Sequence, residues 1–176
     1  MSLLTSLDWV QALGWAAAVV SLMSYQGKGR MAVIGLQVAS CLLLVIHYIG
    51  LGAPIGALFN FLALLRGLVA LVDRPWRKGA VLGFIPLLWL VAVYSHQDGK
   101  DLIPAVAMTF STLAQATPRV LSLRLYMLVS SPLWFAYALL CGSQGGMAYE
   151  ILNSLSNLTG LYRYHLFPKS AKDGRP

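Results

Sequence analysis

Acid is the scarcest chemistry in this sequence: 6 of 176 residues are Asp or Glu, and charged residues of both signs make up only 11%. A soluble globular chain carries about 25% charged and about 45–50% apolar residues, whereas 58% of this one is hydrophobic. Those shortages exclude a soluble enzyme and a disordered tail alike. Cysteine is nearly absent, and neither Cys41 nor Cys141 has a His or Cys at metal-ligand spacing, so no disulfide framework and no metal site are expected. No Lys or Arg precedes the first apolar run, so no cleaved signal peptide is expected. Apolar and polar residues do not alternate at period two, which excludes an outer-membrane barrel. Also missing are a Ser/His/Asp set at one depth, a His-x-x-x-His pair, a pair of intramembrane acids and a phosphate-cradling glycine motif. The chain therefore reads as no enzyme and as needing no cofactor.

What is present is apolar length. A helix crosses the hydrocarbon core with about 20 apolar residues, within a range of about 17–25. Seven segments are predicted to do so: Trp9 to Tyr25, Met31 to Ile49, Gly52 to Val72, Ala80 to Ser95, Leu102 to Thr117, Arg124 to Gly142 and Gly146 to Tyr164. Short connections rich in Gly, Pro, Asp and Lys separate them. The net charge of +7 would suggest a nucleic-acid surface in a soluble protein. Here it follows topology instead, and no nucleic-acid partner is expected. Lys28, Arg30, Arg66, Arg74, Arg77, Lys78, Arg119, Arg124, Arg163, Lys169, Lys172 and Arg175 fall on one side of a seven-span chain, with Lys100 alone opposite. Retention of positive charge in the cytoplasm then puts the N-terminus outside and the 165–176 tail inside.

The sequence also repeats. Phe59 to Leu68 overlays Leu152 to Leu161 at an offset of 93, matching Asn60 with Asn153, Leu62 with Leu155, Leu65 with Leu158, Gly67 with Gly160 and Leu68 with Leu161. Gln26 and Arg30 overlay Gln115 and Arg119 at an offset of 89. The fold class this implies is an all-α membrane protein with two parallel three-helix repeats, residues 9–72 and 102–164, joined by a linker helix at 80–95. In such transporters the solute site lies near the midplane between the halves.

At about 100° per residue, Gly146, Glu150, Asn153, Ser154, Asn157 and Gly160 share one face of the seventh helix. Ala53, Gly56, Ala57, Asn60, Ala63 and Gly67 share a face of the third. Small and polar faces suit either close helix packing or a cavity wall. Asn60, Asn153 and Asn157 are candidate solute ligands, and Trp134 on the sixth helix is a candidate aromatic wall. Glu150 is the one acid inside a span, and such groups are functional hypotheses by default: it is a candidate for proton coupling or a polar contact. His47, with a titratable imidazole, is a second. Arg66 is expected to snorkel to the headgroups, and Trp9, Trp76, Tyr94, Tyr162 and Tyr164 to form interfacial belts.

Asp101 to Pro104, Ser111 and Thr112, Leu121 to Arg124, Trp134, Gly142 to Gly146, Glu150, Asn157 and Arg163 occur in an order and spacing that resemble the YgjV-type bacterial inner-membrane proteins, and His47, Gly56 and Asn60 are similar to that family as well. The resemblance covers nearly the whole chain and implies a multi-pass protein of the bacterial inner membrane. More distantly, the three-plus-one-plus-three plan resembles the SWEET and PQ-loop transporters. That resemblance implies a sugar-like solute held by Asn60 and Asn153, with Trp134 as the aromatic of the second half. The Pro-Gln pair of that group is here Tyr25-Gln26 and Ala114-Gln115. The expectation is thus a small-solute carrier in contact with the lipid bilayer, its solute and oligomeric state undefined, with a non-transporting interaction or sensor protein as the alternative.

Overall fold

In the computed structural model, residues 2–24, 29–95 and 99–163 are described, with side chains from Trp9 onward. Tyr25, Gln26, Lys28, Tyr164 and the 165–176 tail lie outside them. The described residues hold no strand and seven α-helices: α1 (Ser2–Ser24), α2 (Arg30–Gly50), α3 (Pro54–Leu71), α4 (Arg77–Ser95), α5 (Ile103–Ala116), α6 (Val120–Leu140) and α7 (Gln144–Leu161). A 3-10 turn, Gly99–Leu102, precedes α5. Each expected span is a helix, with ends displaced by a few residues.

Local chemistry sets those ends. Pro54 opens α3 and Pro104 lies in the first turn of α5, positions where a missing N–H costs nothing. Pro118 forces Thr117 into an extended conformation and stops α5. The α2–α3 and α6–α7 turns are built alike. Each uses one glycine at positive φ, Gly52 at 68° and Gly142 at 65°, and each returns three N–H groups to the preceding helix. Leu51, Gly52 and Ala53 donate to His47, Ile49 and Tyr48, and Cys141, Gly142 and Ser143 donate to Tyr137, Leu139 and Ala138.

The burial pattern is the reverse of a soluble protein's. Leu42, Ile49, Leu68, Leu90, Val93, Leu139 and Leu155 are exposed, whereas Gln37, Asn60, Arg66, Arg124, Ser130, Glu150, Asn153 and Asn157 are buried. Water would penalise that arrangement at both surfaces, but hydrocarbon favours it, because polar groups in lipid must find partners inside the protein. Four helices, α2, α3, α4 and α6, are long and apolar enough to cross a membrane. The described apolar part of α1 is shorter, α5 has 14 residues, and α7 gives up apolar character to its buried amides, hydroxyls and carboxyl.

Six helices close a circuit in which α1 packs on α2, α2 on α3, α3 on α5, α5 on α6, α6 on α7, and α7 back on α1. Helix α4 stands outside it against α3 and α5, burying only the stripe Val81, Leu88 and Ala92. At the α1–α7 seam backbone meets backbone: a Cβ added at Gly145 would stand 2.6 Å from Gly14 Cα. At one end of the circuit Arg30 donates to Ala70 O (3.2 Å) and Gln115 O (2.7 Å), tying the start of α2 to the carbonyl ends of α3 and α5, where a cation is favoured.

The helix bounds carry a regular spacing. Arg30 and Val120, Gly50 and Leu140, Pro54 and Gln144, Leu71 and Leu161 each stand 90 positions apart, as do the two turn glycines. In that spacing Asn60 corresponds to Glu150 and Ala63 to Asn153, whereas the leucine and glycine identities suggested Asn60 with Asn153. A slip of three residues turns a helix by only about 60°, so both alignments keep the same face inward and the sequence alone does not separate them.

Candidate functional site

Five of the circuit's helices, α2, α3, α5, α6 and α7, line a cavity of about 50 Å³. A water needs about 10–15 Å³ of such volume, so this is room for a few waters, well short of the roughly 300 Å³ of an open drug-sized pocket. Its walls are polar for a helix bundle: Gln37, Asn60, Arg66, Ser111, Gln115, Ser130, Ser131, Glu150 and Asn153, with Cys41, Tyr48, Tyr149 and Trp134 among them.

Arg66 does not snorkel. It is buried and turned across to α5, where Nε donates to Gln115 Oε1 (3.1 Å) and Nη1 is shared by Met108 O (3.1 Å), Ser111 Oγ (2.9 Å) and Thr112 Oγ1 (2.5 Å). The two hydroxyls donate in turn to Met108 O, which leaves their lone pairs for the guanidinium. Ser111, Thr112 and Gln115 recur at i, i+1 and i+4, one face of α5. That pattern, at the depth of an arginine in a neighbouring span, is the sequence signal by which this cluster could have been found.

On the far wall, Glu150 is 8% exposed. Ser131 and Asn153 hydrogen-bond its carboxyl group, and Oε2 has no partner. Asn153 also accepts from Ser21 Oγ (3.0 Å) and donates to Ser131 Oγ (3.1 Å), so one amide joins α1, α6 and α7. Asn60 lines the cavity too, but its amide nitrogen bonds Gly56 O of its own helix (2.9 Å). Asn157 lies away from the cavity: its amide accepts from Arg124 Nη1 (3.4 Å) and donates to Arg124 O (2.8 Å), and Gly160 leaves room for that guanidinium.

Trp134 forms part of the wall and meets Tyr137 edge to face, with centroids 5.9 Å apart and planes at 83°. Tyr137 touches Tyr48 at 6.0 Å and also lines a second cavity of about 230 Å³ bounded by the α2–α3 turn, Lys100, Asp101 and the end of α6. Tyr137 does not itself line the first cavity but packs against Trp134 and Tyr48, which do, and Gly56 gives it and Tyr48 the room to meet.

His47 sits outside the cavity lining with both ring nitrogens engaged. Nδ1 lies 2.6 Å from Val10 O and Nε2 lies 2.7 Å from Ser143 Oγ. A carbonyl can only accept, so Nδ1 carries the proton and Nε2 accepts from the serine hydroxyl. Ser143 Oγ also accepts from Gly146 N (2.9 Å) and caps α7. This chain fastens α1 and α2 to the start of α7. Ser143→Ala removes both bonds and is expected to cost about 2 kcal/mol, measured as a lowered unfolding midpoint of the purified protein.

Apolar helices turned outward around a buried polar cavity define a helical multi-pass membrane protein. The chain belongs to the Imp-YgjV family of bacterial inner membrane proteins, whose model it matches over residues 8–166. No curated protein and no solved structure matches it.

Proposed function

We propose that this inner-membrane protein is a small-solute carrier whose site is the central cavity, enclosed between two three-helix bundles, α1–α3 and α5–α7, with α4 as their linker. The observation that carries the reading is that ten of the eighteen residues in the cavity wall fall into pairs at the 90-residue spacing. Gln37 and Met127, Cys41 and Ser131, Leu44 and Trp134, Asn60 and Glu150, Ala63 and Asn153 are all lining residues and stand at corresponding positions. Parallel repeats that place their solute site on the shared axis do this. Asn60 and Asn153 would hold the solute by hydrogen bonds, and Glu150 would supply a proton or a polar contact. With the N-terminus in the periplasm, the larger cavity at the α2–α3 turn and the end of α6 would lie on the periplasmic side of the site.

The small volume of the cavity favours a second reading, a non-transporting interaction or sensor protein in which these faces only pack. Uptake of labelled sugars, amino acids and small metabolites into proteoliposomes, with and without a pH gradient, separates the two. The carrier reading expects saturable uptake that falls about tenfold in Asn60→Ala, equivalent to about 1.4 kcal/mol, without loss of folded protein. Absence of uptake across the panel would favour the second reading.

A further inference from the structure

The cavity holds two groups of opposite character that do not satisfy each other. Arg66 is always charged, yet its four acceptors, an amide, a carbonyl and two hydroxyls, are all neutral. Its Nη2 takes part in none of those bonds. Glu150 is more than nine-tenths buried and presents an unpartnered Oε2. Both line the same space and neither is ion-paired. Cys41 lines the same space.

A buried charge without a counter-ion is costly, and an acceptor left open at depth is costly as well. A solute bearing only one charge relieves one group and leaves the other. A neutral polyol supplies no counter-charge to either. From this we infer that the carried solute is a small zwitterion, its carboxylate turned to Arg66 on α3 and its ammonium to Glu150 on α7. The inference rests on the carrier reading and narrows its solute class. The cavity's size points to molecules as small as glycine or alanine rather than to a hexose. Because Arg66 and Glu150 belong to different bundles, a solute that bridges them also draws the bundles together.

The test is uptake of labelled glycine and L-alanine by the full chain in proteoliposomes. Competitors are propionate, which keeps only the carboxylate, propylamine, which keeps only the ammonium, and glycerol and glucose, which carry neither. Saturable uptake is expected, with each single-charge or neutral competitor at least about tenfold weaker than unlabelled alanine. Glu150→Gln, which preserves size and shape, should reduce uptake at least about tenfold, and Arg66→Lys should retain more activity than Arg66→Gln. Because Arg66→Gln gives up several buried hydrogen bonds and is liable to misfold, Glu150→Gln with its elution profile in size-exclusion chromatography carries the decision. Unchanged uptake in Glu150→Gln, or competition by propionate and propylamine as strong as by alanine, would overturn the zwitterion. Uptake of labelled glucose or propionate in place of the amino acids would overturn it too and leave the carrier standing. No uptake of any labelled solute would overturn both.

Discussion

Gly145→Leu is expected to destabilise this protein more than any single polar substitution in the cavity, by about 3 kcal/mol. A Cβ at this position would stand 2.6 Å from Gly14 Cα, 2.8 Å from Gly14 C and 3.1 Å from Gln11 O, against an optimal carbon separation of about 3.5–4.0 Å. Those atoms are backbone, so no side-chain rotation relieves the clash and α1 must move away from α7. The bonds that cross the seam move with it: Gly145 N to Gln11 Oε1 (3.1 Å), Ser21 Oγ to Asn153 Oδ1 (3.0 Å) and Ser156 Oγ to Leu22 O (3.0 Å). Overpacking alone costs about 1–3 kcal/mol, and the buried partners left open add to it. Thermal unfolding in detergent should show a midpoint far below wild type, with Gly145→Ala between the two. A midpoint unchanged in the leucine variant would mean that α1 and α7 do not meet as described.

Asn153→Ala and Asn60→Ala should part company in stability although both residues line the cavity. Asn153 serves Ser21 on α1, Ser131 on α6 and Glu150 on its own helix, so its loss strips three buried groups of a partner at once. Interhelical bonds in membranes average about 0.6 kcal/mol and reach about 1.7, and orphaned polar groups add about 1–3 kcal/mol, which sets the expected cost near 2 kcal/mol. Asn60 bonds only Gly56 O of its own helix, a carbonyl already used by that helix's ladder, and its truncation should cost under about 0.5 kcal/mol. Paired unfolding curves of the two variants check this. Equal losses would contradict the asymmetry between the two walls.

That asymmetry shows where the sequence was legible and where it was not. All seven helices were readable, because hydropathy over about 20 residues is the strongest signal a membrane chain carries. So was most of the inward face of α3 and α7: Gly56, Ala57, Asn60, Ala63 and Gly67, and Gly146, Glu150, Asn153, Asn157 and Gly160, are all buried, although Ala53 and Ser154 are half-exposed and Ser156 takes the buried place. The register between the halves was not readable, because identities among abundant leucines and glycines report packing positions and a three-residue slip preserves the face. Arg66 was misjudged for a related reason. Distance from a helix end suggests snorkelling, but direction depends on which neighbour lies across, and the acceptors on α5 become visible only once α3 and α5 are seen to pack together. Arg124, counted as loop charge, is likewise buried against Asn157 and Gly160. His47 offered a titratable ring, but only the fold revealed that Val10 and Ser143 use both of its nitrogens.

A carrier's central cavity must open to each side of the membrane in turn. Cys41 lines it and serves as a reporter once Cys141, in the wall of the second cavity, is replaced by serine. A small, charged, membrane-impermeant methanethiosulfonate reagent is applied to right-side-out vesicles and separately to inverted ones, with the extent of modification read by mass spectrometry. The account predicts slow modification of Cys41 from both faces, suppressed by saturating L-alanine. A Cys41 that stays unmodified from both faces, yet reacts fully once the protein is unfolded in SDS, would contradict it.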